Sequence, residues 1–143
     1  MAPIMSTFLV VDDDPTIRAM FARSLQDLGS VDQAEGGRQA MTLLAATRYE
    51  AVVLDLHMPG VDGFAVLEAL AKEEALNRDT PVFVVTGDHT EQSRLRALKV
   101  RSLLLLTKPV PLAMLKSLIE TSMKKASAQR TTPSTPRPAV RKI

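Results

Sequence analysis

Ala51-Val52-Val53-Leu54-Asp55-Leu56-His57-Met58-Pro59-Gly60-Val61-Asp62-Gly63 is the stretch that decides the fold. Its first four residues are apolar without alternation, the pattern of a strand covered on both faces. The run stops at a carboxylate. Met58-Pro59-Gly60 then breaks the chain, because proline fixes φ and glycine opens conformations that other residues avoid. Beyond the break, Phe64, Leu67 and Leu70 recur at helical spacing. Buried strand, polar tip, short loop and apolar-striped helix together make one βα unit.

The same unit repeats on either side. Phe8–Val11 is an apolar strand ending in Asp12-Asp13-Asp14-Pro15. Asp14-Pro15 reads as a helix start, since proline suits the first turn and a carboxylate suits the positive helix end. Ile17, Met20, Phe21, Leu25 and Leu28 carry that helix, and Gly29 is expected to stop it. Val31–Ala34 is a weaker strand, Gly36-Gly37 a turn, and Ala40, Leu43 and Leu44 mark a second helix. Pro81–Val85 is a fourth strand ending at Thr86-Gly87, followed by a short helix through Leu95 and Leu98. Leu103–Leu106 is a fifth, ending at Thr107-Lys108-Pro109, and Leu112, Leu115, Leu118 and Ile119 carry the last helix. Five strand–helix units with short connections predict an α/β domain, a doubly wound parallel five-stranded sheet with helices on both faces.

The chain has no cysteine, which excludes disulfides, thiolate catalysis and Cys-ligated zinc. No apolar run approaches the roughly 20 residues that span a bilayer, and Met1–Thr7 lacks the basic and apolar regions of a signal peptide. No membrane span and a cytoplasmic location are the expectations. The net charge of +2 conceals a split: residues from Lys124 onward hold six basic side chains and no acid, leaving 12 basic against 16 acidic in residues 1–123. The segment 124–143, rich in Ser, Thr and Pro, is expected to be a disordered basic tail on a folded domain spanning 6–123. Only about 20 residues follow the last helix, too few for a helix-turn-helix, so no DNA-binding domain is expected.

Ligands of open α/β sheets bind at the carboxyl ends of the strands. Here those ends carry Asp12, Asp13, Asp55, Thr86 and Lys108. Clustered carboxylates repel unless a cation joins them, and all-oxygen ligation suits Mg²⁺. A carboxylate beside such an ion can attack phosphorus, while an ammonium neutralises the phosphoryl oxygens. The set makes sense as a phosphoryl-transfer site.

Four motifs in register resemble the bacterial response-regulator receiver domain, the chemotaxis-regulator-like single-domain type: Val10-Val11-Asp12-Asp13-Asp14-Pro15, Val53 to Gly63, Val84-Val85-Thr86-Gly87 and Thr107-Lys108-Pro109. The resemblance covers roughly residues 6–123. It implies a flavodoxin-like sheet of order 2-1-3-4-5. It also implies Asp55 as phosphoacceptor, Asp12, Asp13 and Asp55 with the backbone carbonyl of His57 as Mg²⁺ ligands, Lys108 on the phosphoryl group, Thr86 as the switch, and a cis Lys108-Pro109 bond. The protein would be no enzyme beyond self-phosphotransfer and autodephosphorylation. Its partners would be a sensor histidine kinase or phosphotransfer protein, and a downstream target or second copy on the helix 4–strand 5–helix 5 face.

Some positions depart from the family pattern. The aromatic residue usual three positions before the lysine is Leu105, Lys99-Val100 stands near the usual Gly-Ala pair, and Leu103-Leu104 replaces polar residues. Because side chains alternate across a strand, some of Leu103, Leu104 and Leu105 are therefore expected to turn an apolar surface toward a partner. His57 and Asp88 are expected at the rim of the site, and Met41 and Met58 in packing roles. Two rival readings remain: a receiver-like module that is never phosphorylated, and a phosphatase resembling the haloacid dehalogenases, from Asp12-Asp13-Asp14-Pro15-Thr16, with Asp12 as nucleophile and Asp14 as acid/base.

Overall fold

All five strand–helix units form, in the order read from the sequence. The computed structural model describes residues 6–87, 90–100 and 104–131. Its elements are β1 (Thr7–Val11), α1 (Pro15–Leu25), β2 (Ser30–Ala34), α2 (Gly37–Ala46), β3 (Ala51–Leu54), α3 (Gly63–Leu70), β4 (Val82–Thr86), α4 (Glu91–Val100), β5 (Leu104–Thr107) and α5 (Leu112–Thr131). The strands are all parallel, in the order β2-β1-β3-β4-β5.

Register matters most for function. Val11 pairs with Ala34 on one side and with Leu54 on the other, so the next residues along β1 and β3, Asp12 and Asp55, emerge at one level. Thr86 of β4 pairs with Thr107 on the neighbouring β5, which sets Lys108 at the same end.

Strand side chains alternate between two cores. Leu9, Val11, Val52, Leu54, Val82 and Val84 face a cluster with Leu44 of α2, Phe64 and Leu67 of α3 and Ala97 of α4. Phe8, Val10, Val53, Phe83, Val85 and Leu106 face Phe21 and Leu25 of α1 and Leu115 and Ile119 of α5. The continuous apolar strands are thus the ones covered twice. Met58 is buried and Met41 partly so, both in the first cluster.

Asp14 caps α1, its Oδ1 accepting from the amides of Thr16 (2.9 Å) and Ile17 (3.2 Å), with Pro15 in the first turn. The helix ends at Leu25, ahead of Gly29, so that glycine is not its cap. At the other end of the chain α5 runs on to Thr131, past the expected domain limit at residue 123. Lys, Ala, Gln and Arg dominate residues 124–130, and these propagate a helix whether or not anything is buried. Residues 132–143 of the expected tail lie outside the described residues, as do Asp88 and Leu103. Among the described residues no helix is long and apolar enough to cross a membrane.

The remaining leucines of β5 divide. Leu104 is 41% exposed, Leu105 packs half-buried against the cluster that holds Ala97 and Val100, and Leu106 lies beneath α5. Alternation at a sheet edge explains the split: Leu105 turns under α4 and only Leu104 is left to solvent.

A buried polar knot ties the amino end of the sheet. Asn77, 1% exposed, donates through Nδ2 to the carbonyls of Leu44 and Thr47, both at 2.8 Å. Its Oδ1 accepts from the Tyr49 amide at 2.8 Å and from Thr80 Oγ1 at 2.9 Å. The Tyr49 hydroxyl donates to Asp32 at 2.7 Å. Burial, then that contact, drives the phenol pKa above its ordinary value. Asn77→Ala would strand several buried donors and acceptors and should cost about 2–4 kcal/mol. Urea unfolding checks it, and a loss under about 1 kcal/mol would show the knot to be replaceable by water.

Candidate functional site

The carboxyl ends of β1 and β3 place two acids side by side because neither strand can end elsewhere: each apolar run is exhausted at the same level. Asp12 (1% exposed) and Asp55 (5%) are buried, whereas Asp13 points outward. Carboxylate oxygens of Asp12, Asp13 and Asp55 all lie within 4.8 Å of one another.

Lys108 answers this charge. Its Nζ sits 3.0 Å from Asp12 Oδ2 and 3.4 Å from Asp55 Oδ2. The lysine amide donates to the Thr86 carbonyl at 2.8 Å, which extends the β4–β5 ladder by one residue. The Lys108-Pro109 peptide is cis. Thr86 itself is buried at the end of β4.

Each carboxylate is aimed by backbone. The Asp14 amide donates to Asp12 Oδ1 at 2.9 Å, and the His57 amide to Asp55 Oδ1 at 3.3 Å. Behind Asp55, Gly60 takes φ 76° to turn the loop. Gly63 then opens α3 so close to the Asp55 and Leu56 backbone that a Cβ there would collide with it. Its amide donates to the Leu56 carbonyl at 2.8 Å.

Burial raises the Asp55 pKa. The Lys108 charge pulls it back and the Asp12 charge adds to the rise. Desolvation lowers the Lys108 pKa, but its contacts with Asp12 and Asp55 outweigh this and the net shift is upward, so the ammonium stays charged. A pocket of oxygen donors, more acid than its single lysine neutralises, fits a small hard cation such as Mg²⁺. Ligand oxygens around such an ion stand about 3–4 Å apart, a small adjustment from the spacing here.

The structure brings together the side chains of Asp12, Asp13, Asp55 and Lys108, and joins Thr86 to this group through its backbone carbonyl, which accepts from the Lys108 amide. His57 is exposed at the rim, its ring edge-on to Phe64 with centroids 5.9 Å apart. Two residues that sequence reasoning missed also belong here. Arg96 of α4 lays its guanidinium 3.9 Å from the Phe64 ring centroid. Arg18 of α1 donates from Nη1 to the Asp12 carbonyl at 2.9 Å and from Nε to Gln33 Oε1 at 3.3 Å. Nothing in a single sequence marks either arginine, since each sits on a helix that is mostly solvated.

This chain belongs to the response regulator receiver domain family, which it matches over residues 8–120. Domains of this family are phosphorylation-dependent switches of two-component signalling, phosphoacceptors rather than enzymes of the ordinary kind. Response regulator MprA of Mycolicibacterium vanbaalenii is 37% identical over 126 residues, covering 87% of this chain and 51% of that protein. The transcriptional regulatory protein TcrA of Mycobacterium tuberculosis is 37% identical over 102 residues, 71% of this chain and 39% of that protein. The chain thus spans about half or less of these curated relatives. A response regulator of Burkholderia pseudomallei, solved with a phosphorylated aspartic acid, a calcium ion and citrate, superposes with a TM-score of 0.72 at 25% identity, covering 91% of this chain and 75% of that one.

Because the fold raises the Asp55 pKa above the 3.8 of an unperturbed carboxyl, the native state holds that proton more tightly than the unfolded chain. The associated stability is present below the unfolded value and is lost as pH climbs through the folded one. Asp55→Asn removes that loss and keeps the Lys108–Asp12 pair. In metal-free buffer at pH 7 it should therefore stabilise the protein. Thermal melts of both proteins with a chelator present test this; a less stable variant would mean that Lys108 more than compensates the burial.

Proposed function

We propose that this chain accepts a phosphoryl group on Asp55 from a sensor histidine kinase or phosphotransfer protein and relays the change through protein contacts. The observation that carries the reading is the position of Asp55: a buried carboxylate at a strand end, beside two more acids and within reach of an ammonium. Asp12, Asp13 and Asp55, with the backbone carbonyl of His57, would hold Mg²⁺. The bound ion supplies the positive charge that lets three carboxylates coexist and that offsets the incoming phosphoryl oxygens.

An Asp55 carboxylate oxygen attacks phosphorus, and the phosphorus–nitrogen bond to the donor imidazole breaks with its electron pair left on nitrogen. Asp12 stays fixed by the Asp14 amide. Lys108 turns from the carboxylates to the new phosphoryl oxygens, and Thr86 offers its hydroxyl to one of them. Asp14 supports this reading over the phosphatase: as the helix cap its carboxylate is committed to two amides and is not placed as an acid/base. The complete acid, Thr and Lys set favours it over an unphosphorylated module.

With Leu105 packed under α4, no aromatic ring stands at that position to report on Thr86. Output then falls to the α4–β5–α5 surface, whose exposed apolar side chains include Leu98, Leu104 and Met114. A target protein or a second copy of the chain docks there. This role places the protein in the cytoplasm, and the basic segment 126–143 is not needed for phosphorylation.

Acetyl phosphate should label the protein only with Mg²⁺ present, hydroxylamine should remove the label, and Asp55→Asn should abolish it. Label persisting in that variant would refute the assignment. Lys108→Ala should keep Mg²⁺ binding while its phosphorylation rate falls by roughly 10²-fold.

For the surface, Leu104→Asp should leave labelling intact and weaken association at least tenfold, read by light scattering or pull-down; unchanged association would remove β5 from the interface.

A further inference from the structure

Asp13 presents a puzzle of positioning. It is the exposed member of the acid cluster, and among the described residues its carboxylate makes no hydrogen bond or ion pair. Asp12 is held by the Asp14 amide and Lys108, and Asp55 by the His57 amide and Lys108. What holds Asp13 in the cluster is therefore its backbone. The peptide that joins it to Asp12 carries the carbonyl that accepts from Arg18 Nη1 at 2.9 Å. Arg18 is itself anchored twice: its amide donates to the Asp14 carbonyl at 2.9 Å, and Gln33 on β2 accepts from its Nε at 3.3 Å.

We infer that Arg18 is a positioning residue for the metal site, fixing the Asp12–Asp13 peptide so that the Asp13 carboxylate is preorganised for Mg²⁺. The inference rests on the proposed Mg²⁺ role of Asp13. Two effects of Arg18 oppose each other, which makes its sign informative. Its positive charge close to the site repels a divalent cation, so charge alone says that removing it tightens binding. Its grip on the carbonyl lowers the ordering cost of the ligand set, so positioning says that removing it loosens binding. A charge-assisted hydrogen bond in a half-buried setting, acting on the backbone between two ligands, outweighs a solvated and screened repulsion. Outer partners of metal ligands commonly change affinity by about tenfold or more.

The test is calorimetric titration of the full chain with Mg²⁺ alone, no phosphodonor present. Arg18→Met keeps the alkyl stem and should weaken Mg²⁺ about tenfold. Arg18→Lys, with a charge and a donor that still reaches the carbonyl, should recover most of that loss. Melting of the metal-free variants should be unmoved, a readout that a merely structural arginine would shift. Gln33→Ala leaves Arg18 in place with its Nε released, and a twofold to threefold weakening there supports the anchor independently, even should Arg18→Met fold poorly. Equal or tighter Mg²⁺ binding in both Arg18→Met and Gln33→Ala overturns the positioning role while leaving the site reading intact. If the wild type fails to bind Mg²⁺, or Asp13→Asn binds as well as wild type, the site reading fails and this inference with it.

Discussion

Like charge held at close range is the constraint from which the rest of this structure follows. Parallel register sets Asp12 and Asp55 next to each other, and the third acid, Asp13, lies within the same 4.8 Å. In a low-dielectric setting such an arrangement resists forming. Lys108 makes it tolerable from 96 residues away in sequence, its ammonium 3.0 Å from one carboxylate and 3.4 Å from the other. The partial match matters: one ammonium against three carboxylates leaves a deficit of positive charge, and that deficit is what suits the pocket to the cation and the phosphoryl group proposed for it.

The surrounding scaffold serves to keep that deficit from relaxing. Backbone amides of Asp14 and His57 aim the two buried carboxylates. Gly63 lets the first turn of α3 press against the loop after Asp55 with no side chain between them. Phe64, the next residue, is gripped by Arg96 from α4 and faced by His57 from the loop itself. Movement at the acid pocket thus meets α3 and α4 through direct contact.

Much of this was legible in the sequence because strands covered on both faces announce themselves as unbroken apolar runs. Val52-Val53-Leu54 and Val82 to Val85 could be little else, and their polar terminators, Asp55 and Thr86, pointed to the end of the sheet where the proposed site lies. Cap chemistry placed the start of α1 through Asp14-Pro15. What escaped was of another kind. The extension of α5 to Thr131 follows helix propensity, which a search for apolar faces does not register. The fates of Leu104 and Leu105 depended on which neighbour covered each side of an edge strand, and four leucines in a row carry no sign of that. Arg18, Arg96 and Asn77 act through partners distant in sequence, and no spacing rule reaches them.

The knot around Asn77 divides the molecule chemically. Its hydrogen bonds join neutral groups, buried and mutually satisfied, with the Tyr49 hydroxyl adding a tie to Asp32. The opposite end of the same sheet is held by ionised groups. Chelators therefore act on one rim of the sheet, and at the other acid and ionic strength find only the Tyr49–Asp32 tie to grip. The receiver is, in effect, an instrument with a sensing edge that answers throughout to the composition of its solvent and a mounting edge that answers to it at a single bond.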